Sequence, residues 1–485
     1  MTEDTGSGER YEHPLAGRYA SSEMQRIFSP AHRFRTWRRL WIALARAQRD
    51  LGVAIPDGAV EAMEDAVDRL DLDRAAEYER RFRHDVMAHV HLFGDAAPAA
   101  RGVIHLGATS AYVSDNADLV LHREALDLVR HRLVRVVEAL AAFAREHRDL
   151  PTLGYTHFQP AQPTTVGKRA TLWIQDFLMD LEEVEGRMEG LPFRGAKGTT
   201  GTQASFLELL DGDDEKVEAL DRKVADAMGF SRRFAVTGQT YPRKADFTVA
   251  AAMGGVATSA SRMAHDLRLL AHLQEVEEPF EKEQIGSSAM PYKRNPMRAE
   301  RITALARHAI TLLQDPAHTA ATQWLERTLD DSANRRLSLP DLFLTVDGML
   351  VLAENVARGL HVNPAVVERN LARHLPFLAS ETILMRAVSR GGDRQDLHER
   401  MRQHALEASR VMKEEGGESD LMERIATDPA FALERGELED ILDARAFVGR
   451  APRQVDHFLD QEVAPVLEPR VEAARRRLED PDVRV

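Results

Sequence analysis

Within residues 114–145, Leu119, Leu126, Leu133 and Leu140 recur every seven residues, with Val129, Val136 and Phe143 interleaved. A strand, whose side chains alternate between two faces, would scatter this set; a helix gathers it into one seam. The seam predicts a helix some 30 residues long, roughly 45 Å at 1.5 Å per residue. Ser114 and Asp115 supply N-cap chemistry, and Leu150-Pro151 closes the segment, because the residue before a proline is pushed out of helical geometry. A rod of this length has to find partners of similar length.

Those partners are legible. Helical patterns cover 164–191, 245–278, 298–313 and 339–360, and the second carries Ala250, Ala251, Ala252, Gly254, Gly255, Ala257 and Ala260, which let backbones approach closely. Alternating strand patterns are scarce. The chain reads as all-α, with a helical domain at 1–111, an elongated long-helix bundle at 112–364 and a second helical cap at 365–485. Pro-, Gly- and Thr-rich connectors at 151–163, 192–203, 238–246 and 284–295 are the places where function is expected.

At 485 residues, 44% hydrophobic and 29% charged, the chain has enough apolar surface for a core without staples. The absence of cysteine removes disulfides, thiolate zinc sites, iron–sulfur clusters and a cysteine nucleophile. A net charge of −14 argues against nucleic-acid binding. The polar, acidic start and the lack of a long uncharged apolar run point to a cytoplasmic protein without membrane contact. The acidity is uneven: segments 151–170, 192–203 and 286–301 carry +2, +2 and +3. Four of only eight lysines, Lys168, Lys197, Lys282 and Lys293, fall in or beside them, so these segments are expected to form a basic site.

Segment 284–295, QIGSSAMPYKRN, puts Ser287, flexible backbone N–H groups, Lys293 and Arg294 on one loop that could close over an anion. The plainer reading is a solvent-exposed basic turn. KGTTGT at 197–202 is not a phosphate-binding Walker loop, because no GxxxxGK[ST] string occurs. His84, His89 and His91 lack the HExxH spacing of a metal site and have no cysteine to help them; no metal and no cofactor are expected, and His89 and His91 read as structural.

The string GSS-x-M-P-x-K-x-N resembles the signature of the fumarase/aspartase superfamily, whose members cleave C–N or C–O bonds and release fumarate. RHDVMAHVH (83–91), HLGATSAYVSDN (105–116), TLGYTHFQPAQPTTVGKR (152–169), KGTTGTQASF (197–206) and WLERTLDDSANRR (324–336) narrow the likeness to the adenylosuccinate lyase family, of the animal type. It extends through GGDRQDLHE (391–399) and GRAPRQVDHFL (449–459). Pro242 and the missing cysteines depart from the animal pattern, neither at a motif position.

The resemblance implies elimination of fumarate from adenylosuccinate, giving AMP, and from succinyl-aminoimidazole-carboxamide ribotide. Such chemistry needs a base for a weakly acidic C–H, donors that stabilise the resulting aci-carboxylate, and an acid for the departing nitrogen. His157, an imidazole that titrates near working pH, suits the acid; Ser287 corresponds to the family's general base. Lys293 and Asn295 would hold the carboxylate that gains charge. By the same resemblance Arg18, Tyr19, Arg83, His84, Asp85, Thr109, Ser110, Thr156, Gln239, Arg301, Arg327, Ser332 and Arg336 bind the purine nucleotide. The motifs lie in separate connectors that a single chain could not easily bring together, and the resemblance implies a homotetramer whose sites are shared between subunits. The competing readings are another fumarate-releasing lyase, such as argininosuccinate lyase, fumarase or aspartase, or a catalytically idle helical scaffold.

Overall fold

The computed structural model describes residues 11–281, 283–285, 289–290 and 292–478. Helix α1 (Pro30–Asp50) starts on Ser29, whose hydroxyl accepts the His32 N–H while Pro30 occupies the first turn, where no N–H is needed. It buries Trp37, Leu40, Trp41 and Leu44. Helix α2 (Leu72–Phe82) is stopped by Arg83 in the left-handed region, φ 54°, and α3 (Asp85–Ala96) restarts at once from His84.

The heptad seam forms as expected. Helix α4 (Ser110–Glu146) has 37 residues, roughly 55 Å, and Leu119, Leu126, Leu133 and Leu140 are completely buried. It begins earlier than the sequence suggests: Thr109 is the N-cap. Ser114 and Asp115 lie inside the helix, the Ser114 hydroxyl on the Ser110 carbonyl and Asp115 bonded to the Arg243 guanidinium. A buried cation outcompetes a turn N–H for that carboxylate.

Residues 151–163, expected as a connector, form with Thr164 and Thr165 an antiparallel hairpin of β1 (Pro151–Thr156) and β2 (Gln159–Thr165), with Thr156 opposite Gln159. Helices α5 (Val166–Gly190), α6 (Lys244–His272), α7 (Met297–Leu312) and α8 (Asp331–Gly359) complete the bundle. α4 packs on α5 and α8, while α6 packs on α5, α7 and α8. Gly167 permits a close approach of α5 to the end of α4, since a Cβ there would lie 2.3 Å from the Ala144 carbonyl oxygen.

Two further helix ends differ clearly from the sequence reading. α6 stops at His272 because Gln274 turns left-handed (φ 60°) and Val276–Glu277 pairs with His361–Val362. α8 starts at Asp331, ahead of the expected 339, and runs through Pro340. The proline removes one N–H from the ladder, but burial of Arg335, Ser338, Leu339 and Leu342 on the same stretch holds the helix together.

One apolar core extends from Leu15 along the long helices and takes in Val455, Leu459 and Ala474. A smaller core of Ile383, Leu397, Leu421, Phe431 and Leu438 forms around α9 (Arg394–Glu414), and α10 (Val471–Arg477) packs back on α4. No described helix is long and apolar enough to cross a membrane.

Candidate active site

A cavity of about 750 Å³ opens where α3, α4 and α8 begin. The turn between α2 and α3 supplies Arg83, His84 and Asp85. Its geometry is fixed locally: His84 Nδ1 accepts the Met87 N–H at 3.3 Å, which caps α3 and leaves Nε2 facing the Ser110 hydroxyl, also at 3.3 Å. Asp85 accepts from the Val86 N–H and from Arg336 of α8, at 2.8 and 3.2 Å.

Thr109 and Ser110 lie at the N-terminus of α4, whose first turn holds no acidic side chain, so the helix dipole presents positive potential to the cavity. Thr109 makes no side-chain cap bond. Gln239 is held from three sides: its N–H donates to the Glu326 carbonyl at 2.9 Å, its carbonyl accepts Arg194 Nε at 2.8 Å, and its amide bridges Arg327 and the Thr199 carbonyl. Gly238 makes this approach possible, since a Cβ there would sit 2.4 Å from the Glu326 oxygen. Arg327, Ser332 and Arg336 complete the expected residues on this wall.

The other expected residues lie elsewhere. Arg18 and Tyr19 end the segment Leu15–Tyr19, and Arg301 of α7 places its guanidinium carbon 5.5 Å from the Tyr19 ring centre. Burial, together with the nearby Arg18 cation, lowers the Arg301 pKa. Thr156 and His157 stand at the exposed tip of the β1–β2 hairpin, where His157 and Phe158 are both left-handed, φ 52° and 57°. That pair makes a two-residue turn with the twist a hairpin needs, at the cost of two non-glycine residues in a sparsely populated region. Lys293 is exposed and Asn295 half-buried on the segment before α7. Ser287 lies outside the described residues, as do Lys282, Gly286, Ser288 and Pro291.

The expected basic character of 192–203 is corrected by the geometry. Lys197 is buried and paired with Asp221 at 2.8 Å, and Arg194 is completely buried among the carbonyls of Gly195, Gly198 and Gln239. Both build the connector and neither offers free charge to a ligand. In 286–301, Arg298 is likewise buried, on Glu281 and the Pro279 carbonyl.

The sequence reading missed the cavity floor. Arg243 bonds Asp115 and Asp331, and Arg335 bonds Asp246, Asp118 and the Tyr241 hydroxyl. Burial alone would lower the pKa of Arg243, but Asp115, Tyr241 and Asp246 together outweigh it, so the pKa is raised and the guanidinium stays charged. The only trace in the sequence is spacing, with Asp115 and Asp118 three apart and Asp331 and Arg335 four apart on helical faces. His89 is buried against the Phe34 ring, centroids 3.8 Å apart. Among the described residues no group of three His, Asp or Glu side chains is arranged to hold a metal ion.

A family model described as lyase matches residues 23–311, and one described as adenylosuccinate lyase C-terminus matches 376–458. The chain is 53% identical over 464 residues to an adenylosuccinate lyase of Saccharomyces cerevisiae, covering 95% of this chain and 96% of that one. It is 50% identical over 470 residues to one from Schizosaccharomyces pombe, with 96% and 97% covered. The fold is similar to the crystal structure of 3-carboxy-cis,cis-muconate lactonizing enzyme from Pseudomonas putida, with a TM-score of 0.78 at 24% identity over 96% of this chain and 99% of that one. With half of its residues shared along nearly the whole length and a cavity walled by the motifs that carry the likeness, the chain belongs to the adenylosuccinate lyase family.

Proposed function

We propose that this lyase eliminates fumarate from adenylosuccinate, leaving AMP, and from succinyl-aminoimidazole-carboxamide ribotide. The observation that carries the reading is the cavity at the start of α4, where Arg83, His84, Thr109, Ser110, Gln239, Arg327, Ser332 and Arg336 offer cations, hydroxyls and an amide together. A phosphorylated, carboxylated nucleotide matches that set.

In the proposed reaction Ser287 takes a proton from the succinyl carbon beta to nitrogen. The electron pair moves into the adjacent carboxylate, whose growing charge Lys293 and Asn295 offset. The C–N bond then breaks, and His157 delivers a proton to the departing nitrogen. Arg18, Tyr19 and Arg301 form a second anion-binding group, and Thr156 stands beside His157.

His157 and Lys293 are exposed and do not line the cavity, which supports a homotetramer in which one copy's hairpin tip and Lys293 meet another copy's cavity. Dilution below the assembly's dissociation range should then abolish turnover; a fully active monomer refutes shared sites. Loss of absorbance on conversion of adenylosuccinate tests the reaction itself, and argininosuccinate, fumarate plus water and aspartate serve as competing substrates. Ser287→Ala should bind substrate without turning it over. No turnover of any fumarate-yielding substrate would leave an idle scaffold. The proposed compartment is the cytoplasm, to be tested by cell fractionation.

A further inference from the structure

Beneath the cavity lies a layer of buried charge. We propose that Arg243 is a positioning residue for substrate binding: it ties α4 to the first turn of α8 and so fixes Ser332 and Arg336 against the connector that carries Gln239. The inference rests on the function given above.

All three guanidinium nitrogens of Arg243 are used. Nη1 and Nη2 donate to the two oxygens of Asp115 on α4, at 3.0 and 3.2 Å, and Nε donates to Asp331 on α8 at 2.5 Å. Asp115 also accepts the Tyr241 N–H at 2.9 Å, so this one carboxylate holds the connector as well as the arginine. One turn further along α8, Arg335 repeats the device on Asp246 and Asp118, at 2.7 and 3.0 Å. The Tyr241 ring lies between the two devices, 4.6 Å from the Arg243 guanidinium carbon and 5.3 Å from that of Arg335.

Helix geometry turns this clamp into a positioning device. Asp331 and Arg335 are four apart and share a face; Ser332 and Arg336 each follow by one residue, roughly 100° around the axis. Fixing the first face in the buried layer fixes the direction in which the second meets the cavity. A layer of apolar side chains would serve stability as well as ion pairs do, because desolvation consumes most of the Coulomb gain. Charge adds orientation here. A planar fork reaches both oxygens of Asp115 and one of Asp331 from three separate nitrogens in fixed directions, which the single nitrogen of a lysine does not reproduce. Among the described residues the Asp331 oxygen not facing Arg243 is buried without a partner, and the arginine supplies the side-chain bond that holds Asp331 in place.

The test uses the full chain and steady-state kinetics on adenylosuccinate. An inactive wild type would sink the proposed function and is thereby distinguished from failure of this inference. With an active wild type, Arg243→Lys and Asp331→Ala should each raise KM by roughly tenfold or more while kcat stays within about threefold, since they misplace binding groups and leave the reacting ones. Asp331→Asn keeps an acceptor for Nε and should restore KM to within about threefold of wild type. Unchanged KM in folded Arg243→Lys and Asp331→Ala, with only the unfolding midpoint lowered, overturns the proposal. If Arg243→Lys does not fold, the comparison of Asp331→Ala with Asp331→Asn decides; an Asp331→Ala chain that also fails to fold makes the clamp a folding requirement and overturns it too.

Discussion

The backbone N–H of Met87 reaches His84 Nδ1 at 3.3 Å, so one ring atom caps a helix while the other, Nε2, turns toward Ser110. The two jobs can be separated. His84→Asn keeps a capping acceptor and His84→Ala does not, so the alanine variant should be less stable by about 1 kcal/mol in denaturant unfolding. Both lose the Nε2 contact, and both should show a raised KM. Equal stability of the two variants would contradict the capping role.

Two histidines make the fold acid-sensitive. Burial, with Arg38 near His89 and His84 near His105, lowers both pKa values from 6.5 to about 4. His105 Nδ1 accepts the Trp41 indole N–H at 2.9 Å, a bond only the neutral ring can accept. Between pH 6.5 and about 4 the unfolded chain binds these protons and the folded chain does not, so stability falls as pH falls. The contribution is complete above 6.5, and each group gives a slope of up to about 1.4 kcal/mol per pH unit. Urea midpoints from pH 7 to 4.5 should show the decline, and His89→Phe, which keeps the stack on Phe34, should flatten it.

Asp180 works in the opposite sense. Burial raises its carboxyl from 3.8 to about 6, the Ser259 hydroxyl only partly offsetting this, and its Oδ2 is buried without a partner among the described residues. The folded chain therefore holds this proton more tightly. Its stabilising contribution is complete below pH 3.8 and is lost as pH rises through about 6. Asp180→Asn should accordingly stabilise the protein at pH 8, by roughly 1–3 kcal/mol, and confer no gain near pH 4. Unfolding midpoints at the two pH values decide it.

Gly154 controls where the hairpin tip points. A Cβ at this position would lie 2.3 Å from the Gln162 carbonyl oxygen, beside the register irregularity between Thr152 and Gly154. Gly154→Ala should push the strands apart and displace His157. If His157 is the acid, kcat should fall by roughly tenfold or more with a smaller change in KM; an unchanged kcat would remove the hairpin from the chemical step.

Sequence patterns spoke clearly where one periodicity served one purpose. Leu119 to Leu140 could only be a helical seam, and Arg83 to Asp85 and Thr109-Ser110 meet in one cavity because short motifs move as units. Direction was harder to read. Lys197 and Arg194 looked like site charges, but a sequence gives the sign of a charge and not the side on which it is buried. Asp115 looked like a helix cap, since a carboxylate that caps and one that pairs are chemically the same. Pro340 concealed the start of α8, although a helix buried along that stretch tolerates one missing N–H.

The two left-handed residues at the hairpin tip leave no slack in chain length. Adding or deleting one residue between Thr156 and Gln159 would break this turn, and a β2 that slipped by one position in response would exchange its inward and outward side chains, carrying Pro163 and Thr165 out of the core. Exchange of one side chain for another is therefore the milder change at this point, and an insertion in a loop outside the hairpin leaves its pairing untouched. The length of that turn is as much a requirement as the identity of the histidine on it.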